Sequence, residues 1–283
     1  MNYIQYNFTV TPPEPGSDIL ISVIAEMGFD SFESNENGFV AYIPEDLNSG
    51  IDLSELKFED FSYSFSTQKT PQVNWNEEWE KNFSPVIVND DCIIRAPFHH
   101  LSQGDAFGNK THKYDIVIMP KMSFGTGHHD TTWLMCRNLL DLDVKNKTLF
   151  DMGTGTGVLA ILAKKLGAAT IVGNDIDDWS VENALENCAA NDCKDIKIFK
   201  GDGDLLASKS CYDIILANIN KNVLKSYIPQ LSNALKPTGI LFISGFFKTD
   251  CEELINLASM HYLHLNKQEV KNDWAMISFT KAS

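Results

Sequence analysis

The sequence predicts a doubly wound α/β sheet of seven strands ending in an antiparallel pair, preceded by a small α+β domain, and three observations predict it. From Lys147 onward, apolar β-branched runs alternate with helical runs, the pattern of a parallel sheet covered on both faces. A Gly-Thr-Gly-Thr-Gly stretch at 153–157 stands directly between one such strand and one such helix. The first 68 residues carry a β-α-β-β-α-β order of their own.

In that leading segment, residues 3–10 alternate and are rich in aromatic and β-branched types. Pro12, Pro13, Pro15 and Gly16 then break the strand before a helical run over 18–27. Residues 29–33 and 38–43 read as strands joined through Asn35-Glu36-Asn37-Gly38, a turn-prone sequence of the kind that closes hairpins. A short helix is expected near 49–58 and a last strand at 61–67. The order is that of the ferredoxin-like arrangement, and 1–68 is read as a separate domain.

Residues 69–90 form a linker region. Within 71–85, Trp75, Trp79 and Phe83 lie four residues apart, which places three rings on one helical face, more often a packing stripe than a binding surface. The third unit is 91–283. Strands near 92–96 and 115–119 bracket a loop at 104–113, and the sheet proper follows with strands at 148–151, 170–175, 196–199, 213–218 and 239–244. Residues 263–270 and 274–279 have no helical run between them and read as a hairpin.

Composition narrows the function. At 283 residues, 43% apolar and 22% charged, the chain has enough material for two cores and no sign of disorder or repeats. No basic start leads into an apolar stretch, and the longest apolar run, around 239–247, is too short to span a bilayer, so a cytoplasmic protein without membrane contact is expected. Cysteines at 92, 136, 188, 193, 211 and 251 form no C-x-x-C pair and read as reduced thiols. A formal charge of −15 opposes direct binding of nucleic acid and favours a basic partner, although such a surface also serves solubility alone.

The chemistry concentrates in four places. In Asp151-Met152-Gly153-Thr154-Gly155-Thr156-Gly157, Gly153 and Gly155 let the backbone turn tightly and approach a ligand, and the following helix offers free N–H groups to a carboxylate. The spacing G-x-G-x-G departs from the G-x-G-x-x-G that seats a pyrophosphate, which favours a ligand without phosphates. Asp175 ends the next strand about 20 residues on, where a carboxylate can accept both hydroxyls of a ribose, with Asp177 just beyond. An adenosine joined to an amino acid fits both features, and S-adenosylmethionine is the common molecule of that description. At Leu216-Ala217-Asn218-Ile219-Asn220 a strand ends in amides, and Asn218 is placed to align an acceptor amine with the sulfonium methyl, its other reading being a turn former. Finally, 122–132 (MSFGTGHHDTT) is expected to fold over the cofactor with the Phe124 ring and the Thr132 hydroxyl as contacts. His128 and His129 are adjacent without a third ligand at useful spacing, so no metal is assigned.

These segments resemble one family: the methyltransferases that modify ribosomal large-subunit protein eleven, known as PrmA. FGTGHHDTT at 124–132, LFDMGTGTGVLAILAKKLGA at 149–168, GNDID at 173–177 and LANI at 216–219 match its motifs in order and spacing, and NWNEEWEKNFSPVIV at 74–88 resembles its linker. The resemblance implies a Rossmann-like S-adenosylmethionine-dependent methyltransferase domain behind a substrate-recognition domain. It implies cofactor contacts at Thr132, Gly153, Asp175 and Asn218. The implied reaction is methylation of lysine ε-amines, and of the N-terminal α-amine, on that basic ribosomal protein. A methyltransferase acting on a release-factor glutamine is disfavoured, because such enzymes characteristically carry N-P-P-Y where this chain has Asn218-Ile219-Asn220-Lys221. A nicotinamide-dependent oxidoreductase is disfavoured by the glycine spacing, and a cofactor-binding protein without catalysis is left to assay.

Overall fold

In the computed structural model, residues 3–54, 56–70, 80, 82–99, 112–206 and 210–283 are described. The chain divides into two compact units, Met1–Asn82 and Phe83–Ser283. No helix among the described residues is long and apolar enough to cross a membrane.

The smaller unit holds β1 (Tyr3–Thr11), α1 (Pro13–Ala25), β2 (Ser31–Asn35), β3 (Gly38–Pro44), α2 (Glu45–Asn48) and β4 (Ser62–Thr70). Its antiparallel sheet has the order β2-β3-β1-β4, as the ferredoxin-like arrangement requires. Alternation along β1 sends Tyr6, Phe8 and Val10 into the core with Phe39, Ala41 and Ile43, while Thr9 and Thr11 face outward. Phe8 stacks on Phe39 at 4.7 Å between ring centroids.

The helix expected near 49–58 is absent from the described part of that segment; a single turn, α2, precedes it instead. Asp52 accepts hydrogen bonds from both the amide (2.9 Å) and the hydroxyl (2.6 Å) of Ser54, a local turn that competes with helix. The Tyr63 hydroxyl donates to the Leu53 carbonyl at 2.5 Å, which ties the segment down in irregular form. Of the expected linker helix, Trp75 and Trp79 lie outside the described residues. Strand β4 runs two residues past 68, and residues 83–90 group with the larger unit.

In the larger unit, β5 (Val86–Asn89), β6 (Cys92–Arg95) and β7 (Tyr114–Val117) form a small sheet. The main sheet contains β8 (Thr148–Met152), β9 (Thr170–Asp175), β10 (Lys197–Lys200), β11 (Tyr212–Asn218), β12 (Leu235–Phe247), β13 (Leu263–Lys271) and β14 (Trp274–Lys281). The helices are α3 (Asp130–Leu140), α4 (Val158–Lys165), α5 (Asp178–Ala190), α6 (Lys221–Ala234) and α7 (Cys251–Ser259).

The order β10-β9-β8-β11-β12-β14-β13 is parallel from β10 through β12, and β14 pairs antiparallel with both β12 and β13. The expected hairpin is therefore present, with its second strand wedged between the first and the parallel strands. Successive residues of the central strands feed opposite cores. Leu149, Ile214, Leu216 and Phe242 pack with α3, α4 and α5, and Phe150, Ile215, Ala217 and Ile243 pack with α6 and α7. Burial on both faces explains why these strands read as continuous apolar runs. Strand order reverses between β8 and β11, and the carboxyl ends on either side of such a switch leave a crevice.

Candidate functional site

A cavity of about 570 Å³ occupies that crevice. Its walls come from the ends of β8 (Met152, Gly153), β9 (Asn174, Asp175) and β11 (Asn218), from Phe124 and His129 ahead of α3, and from Trp274 at the start of β14.

Both glycines singled out in the sequence sit on the wall with left-handed backbone, φ +68° at Gly153 and +55° at Gly155. A Cβ at Gly153 would meet Ile219 Cγ2 at 2.4 Å, and one at Gly155 would meet the Phe124 carbonyl oxygen at 2.2 Å. A side chain at either position has no room. In the structure it collides first with the two neighbouring loops, so the glycines let three loops close on one another. Thr156 joins the same contact, its amide donating to the Phe124 carbonyl (2.9 Å) and its hydroxyl to the Gly125 carbonyl (2.6 Å).

Asp175 is nearly buried, and each of its carboxylate oxygens accepts one backbone N–H, Oδ2 from Gly155 (2.9 Å) and Oδ1 from Asp177 (3.2 Å). A carboxylate has about four acceptor positions, so two stay open on the cavity side for vicinal hydroxyls. Next to it, Asn174 spends its amide hydrogens on the carbonyls of Gly201 (2.7 Å) and Asp202 (2.8 Å), which fixes the loop after β10 as the far wall, and its Oδ1 is buried without a partner among the described residues. Asp151, one residue before Met152, is fully buried; that burial pushes its carboxyl up to about 7, against the opposing hydrogen bond from the Thr154 hydroxyl (2.7 Å).

The two asparagines at the end of β11 have separate tasks. Asn220 caps α6, its Oδ1 accepting the Val223 amide at 3.1 Å. Asn218 lines the cavity; its Nδ2 donates to the Thr132 hydroxyl at 3.4 Å, and its Oδ1 is buried without a partner among the described residues. Thr132 itself is fully buried on α3 and sits behind Asn218, while its neighbour Thr131 reaches the wall. The helical turn explains this: consecutive residues on α3 point about 100° apart, so only one of the two threonines can face the cavity.

Phe124 is half exposed and packs edge-on against His129 (5.1 Å), which packs edge-on against Trp274 (4.6 Å), which stacks on Phe247 (4.3 Å). Nδ1 of His129 accepts the Thr131 amide at 3.3 Å and so caps α3. His128 turns the other way, its Nε2 meeting the Ser84 carbonyl at 2.8 Å, so the two histidines do not converge. Among the described residues no group of His, Cys, Asp and Glu could hold a metal ion.

Ile176 (65% exposed), Trp179 (51%) and Met122 (87%) surround the opening with unburied apolar surface, a composition that suits the flat faces of a nucleobase. Of the residues singled out in the sequence, Phe124, Gly153, Gly155, Asp175 and Asn218 meet at this one cavity, and Thr132 stands one layer behind it. Sequence reasoning missed Asn174, Trp179, His129 as a cap, and Trp274. The orphaned Oδ1 atoms, the spare acceptor capacity of Asp175 and the glycine cradle together fit an adenosine carrying an amino-acid tail.

Comparison with known proteins points the same way. The family model for Ribosomal protein L11 methyltransferase (PrmA) matches residues 26–282. The chain is 41% identical over 295 residues to a ribosomal protein L11 methyltransferase of Porphyromonas gingivalis, covering 100% of this chain and 99% of that protein. It is 38% identical over 285 residues to one of Bacteroides fragilis, covering 99% of each. Among solved structures, the crystal structure of a ribosomal protein L11 methylase from Lactobacillus delbrueckii subsp. bulgaricus is similar with a TM-score of 0.63 and 27% identity, covering 71% of this chain and 100% of that one.

Proposed function

Because the chain belongs to the ribosomal protein L11 methyltransferase family, we propose that it transfers methyl groups from S-adenosylmethionine to lysine ε-amines, and to the N-terminal α-amine, of ribosomal protein L11. The observation that carries the amine as acceptor is Asn218 on the cavity wall, whose Oδ1 has no hydrogen-bond partner among the described residues. An N–H of an incoming amine satisfies it, and no carboxylate lies next to it in sequence to attract a metal or a cation instead.

When bound, the cofactor supplies a methyl group on a positively charged sulfur, which leaves as a neutral thioether. The protein's part is to hold and aim. Asp175 accepts the ribose hydroxyls on its two open acceptor positions, and Asn174 keeps the loop at Gly201 and Asp202 in place beside it. The backbone at Gly153 and the imidazole of His129, both on the cavity wall, are placed to meet the amino-acid tail. Asn218 Oδ1 accepts one N–H of the neutral amine and turns its lone pair toward the methyl, an alignment worth ~2.7 kcal/mol of barrier. A lysine has a pKa of about 10.4, so its proton has to leave before attack. That proton departs to solvent.

We assign substrate recognition to residues 1–68, the linker to 69–90 and catalysis to 91–283. Residues 1–70 contain twelve Asp and Glu against two Lys, a formal −10 out of −15 for the whole chain. Such a field attracts a basic ribosomal protein and raises its encounter rate. The reaction belongs in the cytoplasm, where ribosomal proteins are made.

The test is methyl transfer from labelled S-adenosylmethionine to ribosomal proteins of a strain lacking the gene, read by intact mass and peptide mapping. Label on L11 lysines supports the proposal. Label elsewhere replaces the substrate, and absence of label despite cofactor binding removes the catalytic reading.

A further inference from the structure

Three asparagines recur at four-residue spacing along α5 and just past its end, Asn183, Asn187 and Asn191, and all three are buried. Spacing of four puts them on one face of the helix. That face meets the chain leaving β7. Asn191 treats Val117 as a neighbouring strand would, accepting its amide at 2.9 Å and donating to its carbonyl at 2.6 Å. Asn187 accepts the Met119 amide at 2.9 Å, and Asn183 donates to the Met119 carbonyl at 3.3 Å.

Asn187 does one thing more. Its Nδ2 donates to the Thr156 carbonyl in the glycine loop at 2.9 Å and to Asn183 Oδ1 at 2.9 Å. Both amide hydrogens and the carbonyl of this side chain are therefore in use, in a position 1% exposed. Thr156 in turn holds Phe124 and Gly125 through its amide and hydroxyl, and Gly155 beside it donates to Asp175.

We propose that Asn187 is a positioning residue for cofactor binding. Its amide ties the approach to the 122–127 loop to the glycine loop, and so sets the spacing between the two walls of the cavity. It touches neither cofactor nor substrate. The inference rests on the reading of the cavity as an S-adenosylmethionine site. Asn191 is its internal control, having the same chemistry, similar burial and the same partner segment, but no bond to the glycine loop.

The experiment uses the full chain with S-adenosylhomocysteine as the calorimetric probe, alongside thermal melting. Asn187→Ala is expected to weaken binding by about tenfold or more, and Asn191→Ala to stay within about twofold of wild type, although both variants lose stability. In turnover, Asn187→Ala raises the KM for the cofactor and leaves the KM for the protein substrate unchanged. Should Asn187→Ala not fold, Thr156→Val breaks the next link of the same relay by removing only the hydroxyl bond to Gly125, and has to give a comparable weakening. Equal weakening in the Asn187 and Asn191 variants, or none in Asn187→Ala and Thr156→Val, overturns the positioning role alone. A wild-type protein that does not bind the probe overturns the cofactor reading and this inference with it.

Discussion

Replacing Asn218 with alanine separates the aiming of the amine from the holding of the fold. Among the described residues this side chain makes one long hydrogen bond, 3.4 Å from Nδ2 to the Thr132 hydroxyl, and leaves Oδ1 unpaired. A bond of that length contributes at the lower end of the usual ~0.5–1.5 kcal/mol, while an unpaired buried acceptor costs about 1–3 kcal/mol. The second outweighs the first, so Asn218→Ala is expected to leave stability unchanged or to raise it by up to about 2 kcal/mol. Methyl transfer should fall much further. Losing the group that orients a reacting atom typically costs about 100-fold, or ~2.7 kcal/mol of transition-state stabilisation. The assay pairs the initial rate of label transfer at saturating cofactor with urea unfolding of the same preparation. A rate within threefold or so of wild type, or a loss of stability as large as the loss of activity, would refute the aiming role.

Gly155→Ala combines a left-handed backbone with a 2.2 Å approach to the Phe124 carbonyl, so it should cost more than the ~1–2 kcal/mol of the backbone alone and abolish binding of S-adenosylhomocysteine. Calorimetry and melting check both halves. Asp151, raised to about 7 in the fold from an ordinary carboxyl value of 3.8, binds its proton more tightly folded than unfolded. Its contribution is complete below about pH 4 and is lost as pH rises through about 7, so the stability gained by Asp151→Asn relative to wild type should grow between pH 5 and pH 8 or so, and a difference flat across that window contradicts the assignment. If the acidic small unit steers a basic substrate, raising salt from about 0.05 to 0.5 M should increase the KM for L11 severalfold and leave kcat almost unchanged, whereas a salt-independent KM argues for an apolar docking surface.

The elements that the sequence showed plainly are those whose cause is local. The glycine loop was legible because its spacing coincides with a strand end and a helix start. Asp175 and Asn218 were legible because each closes an apolar strand, where the fold class puts its ligand. The expected helix near 49–58 failed because Leu53, Leu56 and Phe58 imitate helical periodicity, while the turn at Asp52 and Ser54 decides the backbone. Trp274 was hidden by topology. It reaches the cavity because β14 lies beside β12, and nothing in the local sequence prints that neighbour relation. The asparagines of α5 read only as polar helix positions, since Val117 and Met119, which they hold, are about 70 residues away.

The place of β14 also governs when the molecule can work. Strand β14 lies between two strands that precede it in sequence, so until residues 274–281 join the sheet β12 keeps an open edge and β13 lacks its β14 partner. Pairings of this kind join the chain late and slowly, and the open edge is a template for mispairing in the meantime. Trp274 arrives on the same strand, so closing the sheet and completing the aromatic wall are a single event. A chain in which residues 274–281 have not yet joined the sheet therefore carries the glycine loop and Asp175 but not a finished cavity.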